Sequence, residues 1–200
     1  MMKSRLLLAF GFALLMLNDF AFMALSGQKG LLYADYGFKL AILAAILLAA
    51  RHLPPPVAVW RQGHTRLAAM IFAVVTTMVL QVDLLADWID GQVPSWDLFD
   101  WPKGIGPWLK AVDLSFGLAL TAYAEEFLFR RLALSVLPGS MAARVIVSSL
   151  LFGLVHWGEG LGSMAAVGLA GVPLALGYVR TGSLLLVVLA HYVVDVILFF

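Results

Sequence analysis

Cysteine is missing from all 200 residues, and charge is scarce: Lys and Arg number 13, Asp and Glu 12. Without cysteine there can be no disulfide, no thiolate metal ligand and no cysteine nucleophile, and the redox compartment is not readable from cysteine usage. The formal net charge of +1 removes the electrostatic case for nucleic-acid binding. No serine sits in a nucleophile-elbow setting, which leaves covalent acyl-enzyme chemistry unsupported. There is no internal repeat, no low-complexity tract and no soluble domain. What the chain has instead is apolar residues: 62% are hydrophobic, 12% are charged, and the mean hydropathy is +0.96. Soluble domains are about half apolar and a quarter charged. The excess points to an all-α, polytopic membrane helical bundle.

About seven transmembrane segments can be drawn, over roughly Leu6–Leu25, Tyr33–Ala50, Leu67–Ala86, Ala111–Phe129, Arg144–Trp157, Leu161–Val179 and Ser183–Phe200. The first is long enough to cross a bilayer and lacks a small-x-small cleavage site, so it reads as an uncleaved span rather than a signal peptide. The fifth is short. An inside N-terminus places Lys3, Arg5, Arg51, Arg61, Arg66, Arg130, Arg131, Arg144 and Arg180 on one side, with only Lys29, Lys103 and Lys110 on the other. The positive-inside rule then gives a multi-pass protein of the inner (plasma) membrane with a cytoplasmic N-terminus. The outside connection 87–110 carries Trp88, Trp96, Trp101 and Trp108 among four aspartates, and it reads as a segment lying along the outer interface. Arg51 to Pro56 reads as a stiff basic connector. Two regions result: N-terminal helices over 1–110, including that loop, and a polar-bearing core over 111–200.

The polar groups inside the last four spans are the chemical signal. Ionisable residues at membrane depth are a functional-site hypothesis by default. Glu125 and Glu126 are adjacent within an apolar helix, and two neighbouring carboxylates repel unless a cation or proton is near. Glu126 and Arg130 are four apart and share a helix face, so the arginine offsets one of the two and Glu125 is the freer. Phe152 and His156 have the same spacing, as do His191 and Asp195. A helical rise of about 1.5 Å per residue places Glu125, His156 and His191 at overlapping depths, nearer the cytosol. A buried carboxylate can take a proton from water, and imidazoles can ligate zinc or donate to an oxyanion. Asp83 and Asp113 fall near the outer boundary, and Glu159 is expected there too. Asp19 lies deeper, and the sequence offers no partner for it. Gly158, Gly160, Gly162, Gly168, Gly171 and Gly177 are read as permitting close helix packing.

Glu-Glu-x-x-x-Arg, Phe-x-x-x-His and His-x-x-x-Asp, in this order on apolar helices, resemble the CPBP family of intramembrane proteases. This family is also called the CAAX protease and bacteriocin-processing, or Abi, family. The resemblance covers about residues 113–200. It implies a helical membrane fold that hydrolyses a peptide bond of a membrane-presented peptide or protein, with the bilayer and that substrate as partners. It implies that Glu125 activates water with His156 sharing the task, and that His191 and Asp195 polarise the scissile carbonyl. Glu126, Arg130 and Phe152 would support the site. In the metalloprotease version of the mechanism, His156, His191 and Glu125 would hold Zn(2+); in the glutamate version no metal is needed. Two departures stand out: Arg131 occupies a position where the family often has Gly, at the expected mouth of the site, and Asp195 stands where Asn is usual. Two other classes fit an intramembrane Glu/His/Asp set: a proton-coupled transporter, and a catalytically silent immunity or scaffold protein.

Overall fold

The computed structural model describes residues 2–49, 65–92, 96, 98 and 104–199. Seven helices account for nearly all of them, and no strand occurs among the described residues. They are α1 (Met2–Ala24), α2 (Gly30–Ala49), α3 (Thr65–Asp90), α4 (residues 107–136), α5 (Met141–Leu154), α6 (Leu161–Thr181) and α7 (Leu184–Phe199). Each overlaps one of the seven expected spans. Among the described residues, three helical stretches are both long and apolar enough to cross a membrane, Lys3–Ala24, Gly30–Leu48 and Leu161–Thr181. The 14 residues of α5 reach only about 21 Å at the α-helical rise, short of the roughly 30 Å hydrocarbon core. Exposed apolar side chains such as Leu47, Leu48, Leu150 and Leu185 suit a lipid-facing surface rather than water.

The helix α4 corrects one expectation. It was expected to end near Phe129, with Arg130 in a cytoplasmic loop. The helix instead runs through Arg130 to Val136, and Arg130 is completely buried. Arg130 is held inside by its pair with Glu126 and by the Phe152 ring, and it lies in the second of two widened π-helical stretches, Asp113–Gly117 and Phe127–Ala133. Residues from Ala124 to Arg130 are all buried, the pattern of a helix enclosed on every side. Ser148 of α5 donates to the carbonyl of Phe129, 2.6 Å away, pinning the widened turn.

Arg5 donates to the carbonyl of Val136, and Arg144 donates to those of Leu134 and Gly139. The last carbonyls of a helix lack intrahelical partners and favour cations. These contacts bring the start of α1, the end of α4 and the start of α5 to one basic end of the bundle. At the other end, Asp90 at the close of α3 accepts from the backbone N–H of Gly162 at the start of α6. The exposed Trp88, Trp96 and Trp108 lie toward that second end. The connector 51–56, Arg61, Asp97, Asp100, Trp101 and Lys103 lie outside the described residues, as do the side chains of Arg66, Asp83 and Asp87.

Helices α5 and α6 pack closely because glycines remove the side chains between them. A Cβ on Gly153 would press on the backbone carbonyl of Met164 and the backbone of Gly168, and one on Gly171 would meet Ser149. Gly160 has φ +99° and turns the chain into α6. Gly153→Ala is expected to lower stability by about 1–3 kcal/mol through overpacking against backbone. The measurement is thermal unfolding in detergent; an unchanged midpoint would refute the close approach.

Candidate active site

The three expected motifs come from α4, from the end of α5 with the turn after it, and from α7. The structure brings them together. Glu126 and Arg130, both fully buried, form an ion pair with Nε to Oε2 at 3.0 Å. The other oxygen, Oε1, is 3.0 Å from Nδ1 of His191. A carboxylate can only accept, so Nδ1 of His191 carries the proton, and Nε2 is left facing Glu125 Oε2 at 3.8 Å and Asp195 Oδ2 at 3.5 Å. Glu126 therefore sets the tautomer and ring orientation of His191 from behind, while Glu125, one residue earlier, reaches its front.

Phe152 is the apolar hub of the arrangement. The Arg130 guanidinium lies over its ring, 4.3 Å from the centroid, a cation–π contact in a dry setting. The guanidinium Nη1 and Nη2 have no hydrogen-bond partner among the described residues, so the ring face is their main compensation. His156 and His191 meet Phe152 edge-on at 5.4 and 5.8 Å between ring centroids. His156 lies just past the end of α5, its Nδ1 3.0 Å from the carbonyl of Phe152. The carbonyl accepts, so a neutral His156 keeps its lone pair on Nε2.

Glu125, His156, His191 and Asp195 all line one cavity of about 590 Å³. Glu126 and Arg130 do not; they sit behind it. The cavity walls come mainly from the parts of the helices farther from the basic end: Leu15 to Phe22 of α1, Asp35 and Lys39 of α2, Asp113 to Glu125 of α4, and His191 to Phe199 of α7. This overturns the expectation of a site nearer the cytosolic, basic end. The reason is the extra length of α4, which puts Glu125 eleven residues, roughly 16 Å at the α-helical rise, from Val136. Arg131 was expected at the mouth of the site. It lies outside the cavity lining, with its Nη1 3.4 Å from Ser135 Oγ.

The cavity also holds residues that the motif reading missed. Lys39 is buried, 2.6 Å from both Asp35 and Thr121 Oγ1. Asn18 donates to Asp35 at 2.8 Å, and Tyr36 donates to Asp113 at 2.6 Å. Asp19, left without a partner by the sequence, lines the cavity together with His156 and Glu125 and accepts from the backbone N–H of Gly158. Glu159 lines it as well. An i,i+4 Asp–Lys pair inside an apolar span was the signal available for Asp35 and Lys39.

The zinc set expected from His156, His191 and Glu125 is not gathered. Among the described residues, no three His, Asp or Glu side chains stand close enough together to hold a metal ion.

This fold and site define a helical membrane protein with a carboxylate–imidazole centre enclosed in its bundle. Residues 107–197, which contain all three motifs, match the family model described as Rce1-like, type II CAAX prenyl endopeptidase Rce1-like, in agreement with the CPBP/CAAX protease resemblance. The same comparison against curated proteins and against solved structures returned no match. Helices α1 to α3 lie outside the matched stretch.

Removing one partner of a buried ion pair leaves an uncompensated charge, which costs about 3–5 kcal/mol. Arg130→Met is expected to destabilise the protein by that order, with Glu126→Gln/Arg130→Met recovering part of the loss. Chemical denaturation of both variants in detergent measures this; a double variant no better than the single one would show that Glu126 does not depend on Arg130.

Proposed function

We propose that the protein is an intramembrane endopeptidase that hydrolyses a peptide bond by water activated at Glu125. One observation carries this reading: Glu125 is 6% exposed and lines the cavity inside an apolar bundle, with no hydrogen bond to its Oε2 among the described residues and His191 Nε2 3.8 Å away, while its neighbour Glu126 lies outside the lining and is held by Arg130 and His191. Two adjacent carboxylates thus have two different environments, one tied and one available, the division that acid–base chemistry requires.

In the proposed reaction, Glu125 accepts a proton from water as the water oxygen attacks the scissile carbonyl carbon. His156, with its lone pair on Nε2, orients the same water. The carbonyl oxygen becomes an oxyanion, and His191 in its imidazolium form offers it an Nε2–H, with Asp195 close by as counter-charge. The proton held by Glu125 then passes to the amide nitrogen, the C–N bond breaks as the carbonyl re-forms, and the carboxylic acid and amine leave, the acid's proton passing through Glu125 to the amine to give a carboxylate and an ammonium. Glu126 and Arg130 touch no reacting atom; they hold His191 and the α4 turn. The donor geometry supports this glutamate route, and no step requires a metal.

Most of the cavity wall lies away from the basic end. With the basic end cytoplasmic, as the positive-inside rule has it, a substrate reaches the cavity from the outer half of the bilayer. That favours the membrane-embedded tail or leader of an exported protein over a prenylated cytosolic tail.

Glu125→Gln is expected to lower turnover by roughly 10²–10⁴-fold, the usual contribution of a general base. Quantitative comparison of protein termini in membrane and secreted fractions, from cells carrying wild type or Glu125→Gln, tests this and identifies the substrate together. Identical termini in the two strains would sink the protease reading in favour of a scaffold. Once a substrate is in hand, assay after exhaustive chelation separates the two routes. Turnover is expected to persist; its loss, restored by added zinc, would establish the metalloprotease route instead.

A further inference from the structure

The cavity is more acidic than hydrolysis alone requires. Its lining includes six carboxylates, Asp19, Asp35, Asp113, Glu125, Glu159 and Asp195, against a single lysine, Lys39. Lys39 is already paired with Asp35. Asp113 receives the Tyr36 hydroxyl, and Asp195 faces His191. Glu125 has its catalytic role. Asp19 lies on the α1 wall of the cavity, and the protease mechanism does not use it.

A second observation at the same wall concerns Asn18. Its Nδ2 donates to Asp35 Oδ1, which fixes the orientation of the amide, since a carboxylate could not face Oδ1. Oδ1 is then a buried acceptor on a residue only 7% exposed, with no donor among the described residues. Asp19 Oδ2 is likewise buried without a partner. Buried acceptors without donors are costly and uncommon, and two on consecutive cavity-lining residues call for a ligand rich in N–H groups. A guanidinium brings five donors and an ammonium three. An inorganic cation would need ligands gathered around one point, and the described carboxylates and imidazoles form no such group. Charges strung along a cavity suit a cation carried on a chain.

We propose that Asn18 and Asp19 form a subsite for a basic side chain of the substrate, so that the enzyme selects peptides with Lys or Arg beside the scissile bond. The inference rests on the protease reading above. Asp19 lines the same cavity as His156 and Glu125, so the subsite and the reacting groups share one chamber. It lies on α1, outside the stretch that matches the family, and belongs to this chain's own specificity.

The test uses the full-length protein in lipid nanodiscs and peptides with an apolar segment of about 20 residues. A single Lys, Arg, Gln or Glu is walked through the positions at one end of that segment, and cleavage is followed by mass spectrometry. For wild type, kcat/KM for the best Lys or Arg peptide is expected to exceed that of its Gln counterpart by roughly tenfold or more. Asp19→Asn should bring the ratio toward one, and Asp19→Lys should turn the preference toward Glu. Equal rates for Lys and Gln peptides with wild type would overturn the subsite, as would an Asp19→Asn variant that slows both in the same proportion. Should the Asp19 variants not fold, the wild-type ratio decides alone. If no peptide is cut in a Glu125-dependent manner, the protease reading fails. Tryptophan-fluorescence titration of Glu125→Gln protein with the Lys and Gln peptides then tests the subsite by itself, with tighter binding of the Lys peptide expected and equal binding overturning it.

Discussion

The bundle is organised around a charge pair that an apolar interior has no other means of holding. Glu126 and Arg130 are both fully buried, and separately each would be very expensive to desolvate. Together they still need further compensation, and the structure supplies it from two other helices. His191 of α7 gives its Nδ1–H to the second oxygen of Glu126. Phe152 of α5 offers its ring face to the guanidinium. One electrostatic requirement thus joins α4, α5 and α7, and the same contacts aim the imidazole of His191 at Glu125. Stability and site geometry are here one problem: a change that relaxes the pair also misplaces the histidine.

The wide turn at Phe127–Ala133 belongs to that solution. A regular α-helix lines up every third and fourth residue, and would give one face to the protein and one to lipid. The π-helical stretch follows directly on the two glutamates, and residues on both sides of it are enclosed. Such bulges are rare and are often found at functional sites. The carbonyl of Phe129, inside the bulge, is taken up by Ser148, so the irregular backbone is covered by protein, as backbone at membrane depth must be.

How much of this the sequence disclosed depends on the range of the interaction. All seven helices were legible, because long apolar runs separated by Pro, Gly and basic residues are read along the chain. The Glu126–Arg130 and His191–Asp195 pairs were legible because both partners lie four residues apart. The end of α4 was not. Two consecutive arginines after an apolar run are the ordinary mark of a cytosolic boundary, and only the packing of α5 and α7 shows that Arg130 faces inward. The error carried through to the depth of the site, since Glu125 was counted from the wrong end-point. Asp19 and Asn18 were opaque for another reason. Their partners, Gly158 and Asp35, lie on other elements, and no spacing along one chain segment announces them.

The departure at Asp195 can be weighed against that geometry. An asparagine in its place could accept or donate one more hydrogen bond near His191 but would bring no charge. Asp195 puts a carboxylate 3.5 Å from Nε2, so His191 has Asp195 and Glu125 before it and Glu126 behind it. A histidine in this setting is charge-matched as an imidazolium, the form in which Nε2 is a donor and can serve an oxyanion. The same carboxylate deepens the negative character of a cavity that already has only one lysine. Substitution at this single position therefore bears on two properties together: the donor that faces the reacting carbonyl, and the preference of the cavity for a positively charged substrate. A chain with a neutral residue at 195 would keep the hydrogen-bond pattern and lose part of both.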